Sequence, residues 1–388
     1  MDPKWTLSRA GQKYYLAQTI SCSIVLAAVR HELAKILNLR FTIFSKIKEN
    51  CFPSWTGLYV TFLTVLACTA IYHQYSKSQL DKITFSQLTM DREHELSVEE
   101  RFKLRKMRAE RVCEANQWTG LDQYLVEEGA RRRPNILYVD KFKMLYCVIP
   151  KVGCTNWKKV LLYLNGDLDE EKNKAVESGN WYSISGSYAN DPENLEGMNF
   201  WSLNKTERLK RLDTHTKFMV TRDPFERLLS AFRNKIQTYR EHDTFGDISN
   251  KIHRVYSRQE REKRSSTSPA SFGEFLRHVV DKNPTSPIIP KNEHWENYWS
   301  LCYPCDIDYD YILKLETIEE DSSWLFKKLG FDNKLVYPSG SSNPSNHDLL
   351  KEFLQSVDRH LPKSVYKHLL KDYKIFGYDV PKCIRDLF

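Results

Sequence analysis

The sequence predicts an α/β fold with a central parallel sheet flanked by helices, and two strand–loop–helix stretches carry the prediction. In the first, residues 144–166, an apolar run (Met144, Leu145, Tyr146, Cys147, Val148, Ile149) is closed by Pro150, as a buried strand would be. After the turn Lys151-Val152-Gly153-Cys154-Thr155-Asn156, apolar residues recur at Trp157, Val160, Leu161, Leu162 and Leu164 until Asn165-Gly166. That is helical spacing with its stop signal. In the second, residues 217–236, Lys217-Phe218-Met219-Val220-Thr221 reads as a short strand. It runs into Arg222-Asp223-Pro224-Phe225-Glu226-Arg227 and a helix through Leu228, Leu229, Ala231, Phe232 and Ile236. Asp223 suits an N-cap and Pro224 the first helical position.

The first loop aims a helix N-terminus, with unpaired N–H groups and partial positive charge, at whatever it holds, so it is a candidate anion cradle. Gly153 allows close backbone approach, Lys151 adds a full charge, and Thr155 and Asn156 add side-chain donors. The spacing is not that of a Walker A loop, which needs a Lys directly before the Ser or Thr. Arg222 stands at a strand's carboxyl end, where open α/β sheets bind ligands, and Ser230, two turns into the helix, shares that rim.

Taken together, P-K-x-G-x-T-x-W followed by R-D-P-F-x-R-x-x-S resembles the two nucleotide-binding segments of sulfotransferases. Asn292-Glu293-His294-Trp295, Leu301-Cys302-Tyr303-Pro304-Cys305, Asp308-Tyr309-Asp310-Tyr311 and Lys314-Leu315-Glu316-Thr317-Ile318-Glu319-Glu320-Asp321 narrow the likeness. They are similar to blocks of the Golgi carbohydrate sulfotransferases, a group that includes chondroitin and dermatan 4-O-sulfotransferases and the natural-killer-epitope glucuronyl 3-O-sulfotransferase. The resemblance covers residues 131–378 and implies a P-loop-like sulfotransferase fold. It also implies 3′-phosphoadenylyl sulfate as co-substrate. Pro150, Lys151, Val152, Gly153, Cys154, Thr155 and Asn156 would hold the 5′-phosphosulfate. Arg222, Asp223, Pro224, Phe225, Glu226, Arg227, Leu228, Leu229 and Ser230 would hold the 3′-phosphate.

The rest of the chain fits a membrane-anchored enzyme of 388 residues. The net charge of +8 asks for an anionic partner, yet no nucleic-acid-binding signature is present; an acidic glycan or an anionic nucleotide suits the motifs. Residues 14–29 are uncharged but diluted by Gln18, Thr19 and Ser21 to Ser23, which favours an interfacial amphipathic helix over a span. Residues 51–76 contain no Asp, Glu, Lys or Arg and are long enough to cross a bilayer. Eight Lys/Arg precede them, so the positive-inside rule leaves residues 1–50 as a cytoplasmic tail and the remainder in a lumen: a single-pass, type II signal anchor of the Golgi membrane. Residues 77–130 are charge-rich, and 93–111 suit a solvated stem helix. The catalytic domain then spans 131–388, entered through Arg131-Arg132-Arg133.

Lumenal placement makes Asn204-Lys205-Thr206 a glycosylation acceptor, with Asn204 the modified residue. It also exposes nine cysteines to oxidising conditions. Cys302-x-x-Cys305 lacks the second ligand pair of a zinc site, so a structural disulfide involving these two, together or with others, is the reading; no metal is expected. Residues 167–210 are turn-rich and punctuated by Trp181, Tyr182, Tyr188, Phe200 and Trp201, as acceptor-facing loops would be. Residues 241–271 are polar and basic, equally suited to a mobile loop and to a rim for a sulfated polysaccharide. Further along, 272–280 reads as an amphipathic helix, 309–315 as a strand, 318–329 as a helix, and 348–373 as a helical region broken at Pro362.

Sulfuryl transfer, like phosphoryl transfer, needs mainly positioning and charge neutralisation. Lys151 is the candidate for the bridging or leaving oxygen. A base must also take the acceptor hydroxyl's proton. Of seven histidines between Gly166 and Pro362, His294 leads because it sits in a family-like block after a loop, and His215 is second. The predicted activity is transfer to a sugar hydroxyl, O-4 of N-acetylgalactosamine in chondroitin or dermatan first and glucuronyl O-3 second. A P-loop kinase and a catalytically silent glycan-binding membrane protein are the alternatives from other classes. The missing Walker Lys-[ST] disfavours the kinase, and intact Lys151, Arg222 and Ser230 disfavour the silent protein.

Overall fold

A computed structural model of the chain describes residues 93, 95–118, 134–238, 243–257, 269–281, 289, 292–331, 335–338 and 345–385. The tail, the interfacial segment 14–29, the span expected at 51–76 and the Arg131–Arg133 entry lie outside the described residues. Among the described residues, no helix is long and apolar enough to cross a membrane.

The sheet has four strands in the order β1 (Ile136–Val139), β2 (Met144–Cys147), β3 (Thr216–Thr221) and β4 (Tyr311–Lys314). β2, β3 and β4 are parallel, as the strand–loop–helix units require, while β1 turns back antiparallel on β2 through a tight turn at Lys143. The sheet is therefore mixed, with an antiparallel edge that the four-residue run Ile136-Leu137-Tyr138-Val139 gave too little signal to announce. Register explains the core. Tyr146 pairs with Phe218, so both rings lie on one face, stacked with centroids 4.9 Å apart. Trp157, fully buried on the helix that follows β2, caps that pair 4.7 Å from Phe218. Aromatic contacts of this kind add to area burial, on the order of 1 kcal/mol each.

The helices follow the spacing that predicted them. Cys154–Asn165 ends at Gly166 in the left-handed conformation, and Phe272–Val280 carries a full capping box between Ser271 and Glu274. The helical tail region divides into His347–Leu354 and Leu361–Phe376, with Pro362 tolerated in the first turn of the second helix.

The helix α1 (Val98–Asn116) corrects the solvated stem helix expected over 93–111. It is packed on the sheet side of β4, and residues 88–388 form one compact unit. Phe102 meets Tyr311 and Trp324 at 5.2 and 5.1 Å. Its arginines are buried: Arg105 bonds Glu93, Asp321 (2.5 Å), the Ile312 carbonyl (3.1 Å) and Thr317 (3.2 Å), and Lys314 reaches Glu93 at 2.7 Å. Burial opposes the charge on Glu93, but Lys314 and Arg105 hold its carboxyl below the usual range. Charge alone had read as a solvent-facing helix. The physical reason for the difference is that these charges are mutually paired and desolvated.

The cysteines confirm disulfides and give their partners. Cys302 pairs with Cys147 in β2, and Cys305 with Cys113 at the end of α1. Closing chain separations of 155 and 192 residues is worth about 5 kcal/mol each in the chain-entropy account. Together they pin α1 and β2 to the segment that follows His294.

Candidate active site

The carboxyl ends of β2, β3 and β4 open on one cleft of about 1290 Å³. Pro150, Lys151, Gly153, Cys154, Thr155 and Asn156 come from the first loop, Arg222 and Ser230 from the second unit, and His294 from the loop before the CxxC segment; all line it. Six cationic side chains (Lys151, Lys158, Lys159, Arg222, Arg233 and Lys235) face it against two carboxylates, Glu293 and Glu319.

The first loop is held in a conformation that serves anion binding. Lys151 sits at φ 74°, a left-handed position costly for a residue with a side chain, and Gly153 at φ 84° is the N-cap of α2 (Cys154–Asn165). A Cβ on Gly153 would stand 2.8 Å from the Tyr337 hydroxyl, which donates to the Gly153 carbonyl at 3.1 Å. Only glycine fits there. The Asn156 side chain ties the turn to the Pro338 carbonyl at 3.1 Å.

The Lys151 ammonium donates to Asn234 Oδ1 at 3.0 Å. Burial, with Lys235, Arg222 and Arg227 adding repulsion, pushes its pKa down to about 8. Asn234 belongs to a π-helical turn, Phe232–Ile236, that continues α5 (Pro224–Ala231; α3 and α4 are Gly186–Asn190 and Lys205–Thr214). Widening the helix there presents Arg233, Asn234 and Lys235 in succession to the cleft. Reading the sequence missed these three. Their spacing of three to five residues beyond Ser230 was the available signal, but an ideal α-helix would have turned Asn234 and Lys235 to different faces.

The second unit divides by role. Arg222 is buried; its Nη2 bonds Glu226 at 3.3 Å and the Ser345 carbonyl. Arg233 meets the Ser345 hydroxyl at 3.0 Å, so two guanidinium groups converge on one residue. Asp223 caps α5 through the Phe225 and Glu226 N–H groups, both at 2.9 Å, and burial beside Glu226 and Glu316 pushes its carboxyl up to about 7. Val152, Pro224, Phe225, Leu228 and Leu229 do not line the cleft: Val152 is a buried loop residue, and the other four are buried residues of α5.

Arg227 is also no ligand. It is 2% exposed and gives every branch of its guanidinium to a backbone carbonyl: Pro150 at 2.9 Å, Glu296 at 2.7 Å and Glu293 at 2.8 Å. It also stacks 4.8 Å from Tyr298, whose hydroxyl bridges the Arg222 N–H and carbonyl. Its placement joins the Lys151 loop, the His294 loop and Arg222 into one frame, which makes it a positioning residue.

His294 donates from Nδ1 to Asn292 Oδ1 at 2.7 Å, an oxygen that also accepts the His294 backbone N–H at 3.0 Å. An amide oxygen only accepts, so the tautomer is Nδ1–H, and the Nε2 lone pair meets no donor among the described residues. Burial first, then Lys235, Lys151, Arg227 and Lys158, lower its pKa to about 3, leaving a neutral imidazole. His215 is elsewhere. It precedes β3 at the opposite end of the strand, with Nε2 on Asp140 at 2.9 Å and Nδ1 on Thr214 at 3.0 Å. The reason is topological: residues before a strand lie at its amino end.

A model of the sulfotransferase family matches residues 134–379. The chain belongs to that family. Its members draw on 3′-phosphoadenylyl sulfate, and the carbohydrate sulfotransferases stand among its relatives. Carbohydrate sulfotransferase 11 of Rattus norvegicus is 32% identical over 254 residues, covering 64% of this chain and 68% of the relative. Carbohydrate sulfotransferase 10 of Gallus gallus is 32% identical over 256 residues, covering 63% and 67%. Carbohydrate sulfotransferase 9 of Homo sapiens is 32% identical over 253 residues, covering 63% and 53%. No solved structure matches the chain significantly. The donor fits what the cleft offers: a glycine-only cradle, a helix N-terminus, and Lys151, which forms no ion pair among the described residues.

Proposed function

We propose that the protein is a Golgi carbohydrate sulfotransferase, anchored by a type II span with its catalytic domain in the lumen. It would sulfate O-4 of N-acetylgalactosamine in chondroitin or dermatan. When bound, the donor supplies an activated sulfuryl group. The loop at 151–156 contributes N–H groups and the α2 dipole, and Arg222 with Ser230 contributes a phosphate grip in which Arg acts as a fork. Lys151 brings a fixed cation to the mouth of that loop, where charge gathers on the leaving oxygen.

The observation that carries the reading is that Lys151 and His294 line one cleft on a shared frame, the Arg227 guanidinium. Nε2 takes the acceptor hydroxyl's proton. Its basicity is coupled to the donor, since Lys151 and Lys235 are among the cations that depress it and an anionic ligand neutralises them. The resting imidazole is therefore a weak base that strengthens once the cleft is charged.

The test is transfer from radiolabelled donor to desulfated chondroitin, dermatan and glucuronyl-capped glycans, with the sulfated position read by disaccharide analysis. Label on O-4 of N-acetylgalactosamine supports the reading. Label confined to glucuronyl O-3 would replace it with the second activity.

A further inference from the structure

We propose that Lys158 and Tyr182 form the acceptor subsite of this cleft, with Lys158 reading the carboxylate of a uronic acid beside the hydroxyl to be sulfated. The assignment rests on the sulfotransferase reading above. The ends of β2 and β3 already supply the anion grips for the donor. Lys158 lies one turn further along α2, and Tyr182 belongs to the 167–210 segment between the two nucleotide units.

Three observations carry it. First, Lys158 is held in place. Its ammonium donates to Asn190 Oδ1 at 3.0 Å, while Asn190 Nδ2 donates to Thr155 Oγ1 at 3.1 Å and to the Gly186 carbonyl at 2.7 Å. One carboxamide thus wires α3 (Gly186–Asn190) to the donor loop and fixes the cation. Second, Lys158 and Lys159 form no ion pair with a carboxylate among the described residues; Lys159 instead donates to the Trp181 carbonyl at 3.1 Å. A lysine positioned by a neutral amide keeps its charge available to an incoming anion. Third, Tyr182 is 83% exposed on the lining of the cleft, on a turn anchored by Trp181, whose Nε1 donates to the Val336 carbonyl at 3.0 Å. A solvent-facing ring presents an apolar face with a polar tip, which suits the C–H face of a sugar.

The ligand class follows from that pairing of cation and ring: a glycan whose acceptor sugar is flanked by a carboxylate. The experiment uses the full chain, with KM measured for desulfated chondroitin and for the same glycan with its uronates reduced to primary alcohols. For the wild type, KM is expected to be roughly tenfold to hundredfold higher on the carboxyl-reduced glycan, the worth of one charge-assisted hydrogen bond. Lys158→Gln should raise KM on the native glycan by that factor and leave KM for the donor and the reduced glycan within about twofold. Tyr182→Ala, at an exposed position, should raise KM on both glycans alike. Equal wild-type KM on the two glycans, or a Lys158→Gln effect on donor KM, overturns the assignment alone. No transfer to any glycan by the wild type overturns the sulfotransferase reading with it.

Discussion

At the carboxyl edge of the sheet Lys151, Lys158, Lys159 and Lys235 face a cleft and form no ion pair among the described residues, whereas on the α1 side Arg101, Arg105 and Lys314 are buried in pairs with Glu320, Glu93 and Asp321. Both groups are cations close to the same sheet. The paired set is a finished structure: each charge has its counter-charge, and removing one leaves another stranded. The lysines of the cleft rest on amide oxygens, a carbonyl or a ring instead, and two of the residues around them, Lys151 and Gly153, hold left-handed backbone. Cations without an ion pair among the described residues, one of them on a strained loop, are arranged for a ligand that brings the negative charge.

Breaking the paired set should give the largest stability effect. Arg105→Ala leaves Glu93 and Asp321 short of a partner and should cost about 3–5 kcal/mol in urea unfolding, with turnover per folded molecule unchanged. Within the cleft the pattern should invert. His294→Gln should lower kcat on the order of 100-fold while thermal stability holds, since the loss is a proton acceptor and not a packing group.

The contrast also predicts a pH dependence. Lys151 is charged below about 8 and neutral above it. Affinity for 3′-phosphoadenosine 5′-phosphate, followed by calorimetry, should therefore fall as pH rises past 8, and Lys151→Arg should flatten that limb because arginine stays charged. The same depressed pKa means the folded chain binds fewer protons than the unfolded one between about 8 and 10.5, so the burial of Lys151 opposes folding below that window and does so less as pH rises through it. The smallest effect belongs to Asn204, exposed at the N-cap of α4 with its Oδ1 accepting the Glu207 N–H at 3.0 Å. Asn204→Asp keeps the cap and removes the acceptor for a glycan; it should abolish any endoglycosidase-sensitive mobility shift and change stability by less than about 0.5 kcal/mol.

What the sequence made legible divides along the same line. β2, α2, β3 and α5 were readable because each places an apolar run beside Pro, Gly or Asp punctuation, and Lys151, Gly153, Arg222 and Ser230 came with them. The disposition of α1 was not readable, since Arg101 and Arg105 look the same in a sequence whether solvated or paired with partners about 216 residues away. Arg227 was read as a phosphate ligand because it lies in the R-D-P-F-x-R-x-x-S block that resembles the family's 3′-phosphate segment; that all its donors go to carbonyls is a property of three converging loops. Asn292, which sets the His294 tautomer, and Asn234, which holds Lys151, are neutral residues whose roles appear only once their partners are adjacent.

The most direct test is donor turnover by the full chain beside Lys151→Ala, with radiolabelled 3′-phosphoadenylyl sulfate and a glycan acceptor, and thermal melting of both. The account predicts that the variant loses activity by on the order of 100-fold or more while its melting temperature stays level or rises, because a desolvated cation without a counter-charge is removed. A variant that keeps its turnover, or one that loses activity only by unfolding, would contradict the claim that Lys151, a cation with no ion pair among the described residues, serves sulfuryl transfer.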